Sequence, residues 1–399
     1  MQDALYVPRL LKGARGWWYL GGHKLLLLGD AAVDSGGRLR SVVEHRLNAM
    51  GVNGPAPRPA YALTVLTASA CNLGCAYCFQ NTAPDPTGGS RPPRIATVSL
   101  DRRTAGRILR FVSGKMAESG LDKLDVHLFG GEPLLNPAGC RDLLELAADH
   151  GLSSAHMTSN GTLLTPELAQ ELAALGLGSV QITFDGNQIE HDQTRVRRSG
   201  TGTFDAILSN IAAANEVTSL RWDLRVNVSQ RNRNGIPELI EQIGRRVDPA
   251  RCNIYFALIY DTGIGFDSTA ERESELIDEV VGWTVRATEL GFQVSRPKPA
   301  RPCLSCGFRD GRLGAVVNAD GTLYSCWESA GKPGWEIGSV DSGYLPANQV
   351  DGRWVACGYG ARNADQSEIT RFSDAVDARI LDYLHDMGRL DSTAGQSSP

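Results

Sequence analysis

Three thiols stand within eight residues, in the run Cys71-Asn-Leu-Gly-Cys75-Ala-Tyr-Cys78. Three thiolates on one short loop can hold three irons of a cubane and leave the fourth iron without a protein ligand. The alternative is zinc, which in a structural site takes four protein ligands. No fourth Cys or His follows closely in sequence. A second group, Cys303-x2-Cys306 followed by Cys326 and Cys357, supplies four thiols in the last quarter of the chain. Four thiolates suit one closed iron–sulfur cluster or a structural zinc equally well. Cys140 and Cys252 stand alone and read as buried apolar side chains. Nine cysteines cannot all pair, and a reducing compartment disfavours a disulfide framework, so both groups read as metal sites.

These thiols need a frame. From Tyr61 the chain alternates strand-like runs with helical ones, about six times: YALTVLTAS, KLDVHLFGG, SSAHMTSNG, SVQITFDG, LRWDLRVNVSQ and CNIYFALIYD are the strands. That alternation predicts an α/β fold, a parallel sheet with helices outside, either doubly wound or a complete or partial barrel. Candidate residues cluster just after the strands, at Cys71, Gly130, Asn160, Asp185 and Asp261, where ligand sites of such folds form. Asp101 is the expected N-cap of a helix over Leu100 to Met116. Residues 1–60 read as a leader unit: two short strands around Gly21-Gly22, then an amphipathic helix ending at Gly51. Residues 61–295 are the expected barrel, 296–365 a cysteine-bearing module, and 366–399 a helix (372–388) with a disordered tail. Inside the module, AVVNADGTLYSC predicts a hairpin turning at Asp320-Gly321 that returns Cys326 toward Cys306.

The first cysteine loop resembles the signature of the radical S-adenosylmethionine (SAM) superfamily, with Tyr77 at the aromatic place before the last cysteine. The resemblance implies a partial (β/α)6 TIM-like barrel holding one 4Fe–4S cluster on Cys71, Cys75 and Cys78, whose open iron chelates SAM. Phe129-Gly130-Gly131-Glu132-Pro133 looks like the family's GGEP motif, which implies a grip on the SAM amino group, with Glu132 balancing the ammonium. Ser159 and Asn160, then Thr183 and Asp185, fall where similar enzymes contact the SAM ribose and carboxylate. Asp185 is read equally as a brace of its turn, and Arg195 as a partner of the SAM carboxylate or of a structural acid. His191 reads as a loop residue, and His127, midway along its strand, as a packed residue or one that faces the barrel interior. Cys303, Cys306, Cys326 and Cys357 resemble the auxiliary-cluster region of SPASM and twitch enzymes. The further cysteine run of a full SPASM domain does not follow Cys357, which implies a twitch-like module with one auxiliary 4Fe–4S cluster.

Net charge of −5 and a pI near 5.9 argue against a nucleic-acid partner. The apolar run Leu25–Leu28 is too short to span a membrane, and the first ten residues lack the pattern of a signal peptide, so the expected location is cytoplasmic. The resemblance implies oxidative modification or cross-linking of a ribosomally made precursor peptide, with an electron donor such as ferredoxin or flavodoxin. Dehydrogenation or rearrangement of a small natural-product metabolite is the second reading, and a zinc-binding interaction protein a third. Asp261 and Glu328 are the candidate general bases.

Overall fold

Strand and helix alternate from Tyr61 onward because apolar residues switch between continuous runs and three-to-four spacing. The computed structural model describes residues 6–22, 24–54, 58–88, 91–260, 268–355 and 366–390. Its N-terminal part has β1 (Arg9–Lys12), β2 (Trp17–Leu20), β3 (Leu25–Leu28) and α1 (Ser41–Ala49). The barrel part follows as β4 (Tyr61–Ala68), α2 (Arg102–Ser119), β5 (Leu124–Gly130), α3 (Pro137–Ala148), β6 (Leu152–Ser159), α4 (Pro166–Ala174) and β7 (Leu177–Phe184). It continues with α5 (Gln188–Thr194), α6 (Phe204–Val217), β8 (Arg221–Val228), α7 (Ile236–Gly244), β9 (Cys252–Leu258) and α8 (Ser274–Glu289). Last come β10 (Gly314–Val317), β11 (Thr322–Tyr324), β12 (Gly338–Ser339), β13 (Gly343–Tyr344), α9 (Ala347–Val350) and α10 (Gln366–Asp386).

The strands β4 to β9 lie side by side in chain order, all parallel. Consecutive parallel strands need a crossover, and each helix between them supplies one on the outer face. Caps delimit those helices. Asp101 accepts from the Thr104 N–H at the start of α2, and Asn136 does the same for Gly139 in α3. Leu63, Val65, Val126, Met157, Ile182, Leu224 and Ile254 are buried against the helices. Their alternate neighbours face the inside of the open barrel.

Three features differ from the sequence reading. The N-terminal sheet has three strands in the order β1-β2-β3, because Arg9–Lys12 pairs antiparallel with Trp17–Leu20. The hairpin β10–β11 forms at Asp320-Gly321 as expected, but β10 also pairs in parallel with β4, from Gly314 beside Ala62 to Val317 beside Val65. One ten-stranded sheet results, β13-β12-β11-β10-β4-β5-β6-β7-β8-β9. The last helix starts at Gln366 rather than 372, since its first turn is polar and apolar packing begins at Phe372. Asp261, Cys357 and the tail 391–399 lie outside the described residues.

Candidate active site

Strand β4 ends in a register shift between Leu66 and Ala68, and the cysteine loop leaves the sheet there. The loop is fastened from three sides. The Ser69 hydroxyl donates to Ala96 O at 2.7 Å, Gly74 N–H to Val196 O at 2.9 Å, and Arg198 N–H to Asn72 O at 3.0 Å. Asn81 Nδ2 donates back to Cys75 O at 2.9 Å. Donors also reach sulfur: Leu73 N–H lies 3.4 Å from Cys71 Sγ, and Arg94 Nη1 lies 3.4 Å from Cys78 Sγ.

Gly130 and Gly131 pass directly over the start of this loop. A Cβ on Gly130 would stand 2.1 Å from Ala68 O, and one on Gly131 would stand 2.3 Å from Ala70 O. Gly130 also adopts φ +145°. Their backbone zips onto the loop, Gly131 N–H to Ala68 O and Glu132 N–H to Ala70 O, both 2.8 Å. Glu132 is fully buried behind that wall. Its oxygens accept from Ser159 Oγ at 2.8 Å, Asn160 N–H at 2.7 Å and Leu134 N–H at 3.0 Å. The carboxylate therefore fixes the end of β6, and it is not among the cavity-lining groups. An ammonium partner, the role the motif implies, is not what these contacts show.

The next strand end carries a buried network. Tyr77 Oη donates to Asp185 Oδ2 at 2.8 Å and accepts from Arg195 Nη1 at 2.7 Å and Asn227 Nδ2 at 3.0 Å. Arg195 Nη1 stands 3.6 Å from Asp185 Oδ2. Burial pushes the Asp185 carboxyl up and Arg195 pulls it down. Of the two readings for Arg195 and Asp185, the structure favours a pair with each other. His191 is on α5, not a loop, and fully buried between Phe184 and Phe204, with ring centroids 5.4 Å away in each case.

These elements surround one cavity of about 630 Å³ at the carboxyl ends of the strands. Of the residues expected from sequence, Cys71, Tyr77, Cys75, Cys78, Gly130, Gly131, Ser159, Asn160, Thr183, Arg195, Cys303 and Glu328 line it. Pro133, Asp185, Cys306 and Cys326 lie behind its wall, as Glu132 does. Glu328 accepts from Tyr260 Oη at 3.1 Å. Both cysteine groups thus reach one space, Cys303 lining it together with the three loop thiols. Trp354 Nε1 donates to Cys306 O at 2.8 Å while Val355 N–H donates to Ser325 Oγ at 2.9 Å, so the segments bearing Cys306 and Cys326 meet.

Sequence reading missed a polar inner face. His127, His156, Gln181, Arg225 and Asn227 line the cavity. His127 is no core filler: its ring stacks on His156 at 4.3 Å and its Nε2 meets Thr158 Oγ1 at 2.8 Å. The signal was present as polar residues at every second position of strands that a parallel fold would otherwise make apolar.

The residues fit an iron–sulfur cluster. Burial pushes the Cys75 thiol up to about 12 and raises that of Cys71, so thiolates there require a cationic partner. Arg195, which lines the cavity, has its Nε buried with no hydrogen-bond partner among the described residues, leaving a donor for a ligand. Among the described residues no three His, Cys, Asp or Glu close on a single metal-ion position. A cubane, with its irons at separate corners, asks for thiolates set apart.

Comparison with known proteins agrees. Residues 65–243 match the family described as the Radical SAM superfamily. Fe-coproporphyrin III synthase of Methanosarcina barkeri (strain Fusaro) is 28% identical over 230 residues, 56% of this chain and 51% of that protein. Mycofactocin maturase MftC of Mycolicibacterium smegmatis is 25% identical over 268 residues, 64% of this chain and 62% of that one. The chain spans about half the length of the first curated relatives it matches. The solved structure "Native anSMEcpe with bound AdoMet" superposes with a TM-score of 0.62 at 14% identity, covering 82% of this chain and 99% of that one.

Proposed function

Because residues 65–243 match the radical SAM superfamily, we propose that the protein cleaves SAM reductively and uses the resulting radical to modify a ribosomally made peptide. One observation carries the reading: the thiols of Cys71, Cys75 and Cys78 share a single cavity with Gly130, Asn160, Thr183 and Cys303. When bound, a 4Fe–4S cluster and SAM supply one-electron cleavage to methionine and a 5′-deoxyadenosyl radical. The protein's own residues do the rest. Gly130 and Gly131 bring backbone oxygens close to the ligand, Asn160 and Thr183 offer hydrogen bonds to hydroxyl or carboxylate groups, and the buried Tyr77–Asp185–Arg195 network holds the floor rigid. Cys303, Cys306, Cys326 and Cys357 are the ligands we assign to an auxiliary cluster that takes up the electron released on oxidation. Glu328, held by Tyr260, is the proton acceptor we favour, since it lines the cavity.

A peptide substrate is supported by the likeness to MftC, which is named a maturase. In this reading the unit of residues 1–60 helps hold the precursor, 61–295 is the barrel, and 296–365 the twitch-like module, with ferredoxin or flavodoxin as donor. A small metabolite is the second reading, favoured by relatives named Fe-coproporphyrin III synthase and GTP 3′,8-cyclase. Anaerobic reconstitution with iron and sulfide, then reduction with SAM, should yield 5′-deoxyadenosine. The Cys75→Ala variant should yield none, and undiminished yield would refute the assignment. Mass shift of a co-expressed neighbouring peptide, against product analysis of candidate metabolites, separates the two substrate classes. Iron and sulfide content separates an auxiliary cluster from zinc at the second cysteine group.

A further inference from the structure

The irregular stretch after Cys78 has a definite end. Asn81 bridges to Arg94, Thr82 N–H donates to Pro93 O at 2.8 Å, and Ile95 N–H donates to Gln80 O at 3.2 Å. This closes the stretch into a loop whose base delivers Arg94 beside the cysteines. Its guanidinium is divided three ways. Nη1 lies 3.4 Å from Cys78 Sγ, and Nη2 donates to Gln80 Oε1 at 2.6 Å. Nε is buried with no acceptor among the described residues. Gln80 is itself 1% exposed, so the fork is held in orientation by a side chain with no freedom to follow it elsewhere. Arg94 also lines the cavity.

We propose that Arg94 is a positioning residue for electron transfer: it raises the reduction potential of the cluster held by Cys71, Cys75 and Cys78. The proposal rests on the cluster reading given above. Reduction adds one negative charge to the cluster, and hydrogen bonds to ligand sulfur and nearby positive charge stabilise that charge. Arginine suits the role, because its guanidinium stays charged and its donors keep fixed directions.

The test is an EPR-monitored redox titration of the full-length, anaerobically reconstituted protein, following the signal that changes on SAM addition. That signal isolates the SAM-binding cluster from any auxiliary one. Arg94→Gln should retain its iron and titrate at a more negative potential. Arg94→Lys, which keeps the charge and loses the fork, should fall between the two. Loaded variants that both titrate with the wild type would overturn the proposal. So would variants that take up no iron at all, since Arg94 would then serve assembly. A wild-type protein without cluster iron would fail earlier, at the reading beneath.

Discussion

His191 shows how a residue near the site can be fixed by its hydrogen bonds into one protonation state. Its Nδ1 accepts from the Asp185 N–H at 3.4 Å, and its Nε2 stands 3.1 Å from Thr203 Oγ1. That hydroxyl donates to Arg195 O at 2.6 Å, so it accepts from the ring, and the neutral Nε2–H tautomer satisfies every group. Burial, then the Arg195 charge, holds the His191 pKa well below the ordinary imidazole value. Lowered in the folded state, the group favours folding above about pH 6.5. As pH falls below that, the unfolded chain takes up a proton that the folded one refuses. Stability should decline by up to about 1.4 kcal/mol per pH unit from this residue. Urea unfolding of wild type and His191→Gln between pH 7 and 5 measures it: the variant, weaker at pH 7, should lose less on acidification, and parallel slopes would refute the account. At this scale the sequence was legible where chemistry and spacing coincide, as in Cys71, Cys75 and Cys78. It was not legible for His191 or Arg94, whose roles depend on partners that only the fold brings near.

The two glycines at the end of β5 test how far the site depends on backbone approach. Position 131 has no room: a methyl group there meets Ala70 O at 2.3 Å and Ser69 O at 2.4 Å. Both atoms belong to backbone that leads into Cys71 and cannot rotate away. Gly131→Ala should therefore push the cysteine loop off its seat, destabilise the protein by about 1–3 kcal/mol and lower iron uptake. Gly114→Ala is the control, since nothing lies within 4 Å of that position on α2, and it should be neutral or stabilising by about 0.5–1 kcal/mol. Thermal unfolding with iron analysis reads both, and equal behaviour would sink the argument. The six barrel strands and their helices were readable because each is long enough to show its period. Strand β1 was not, for its four residues, Arg9-Leu-Leu-Lys, hold only two apolar side chains. The pairing of β10 with β4 joins segments some 250 positions apart, which no local signal records.

The whole chain is closed by contacts between its two ends. Leu11, Trp18 and Leu20 of the N-terminal sheet form a separate small core with Ala378 and Leu381 of α10. Trp18 Nε1 donates to Asp382 Oδ1, and Ala14 N–H to Asp382 Oδ2, both at 2.8 Å. Arg9 reaches Asp374 at 2.6 Å and Asp377 at 2.7 Å on the same helix. Helix α10 in turn pairs Arg379 with Asp278 on α8, which covers β9. Among the described residues the small core shares none with the cavity lining, so its opening leaves that lining in place. Trp18→Ala removes the largest side chain of that core and strands the Asp382 carboxylate, a local cost of about 3–5 kcal/mol. Amide exchange should then accelerate in β1, β2, β3 and α10, while β4 to β9 keep their protection and cluster uptake is unchanged. Acceleration spread evenly over both regions would mean that the ends and the barrel unfold as one unit, and the N-terminal sheet could not then act as a separately mobile holder for a peptide.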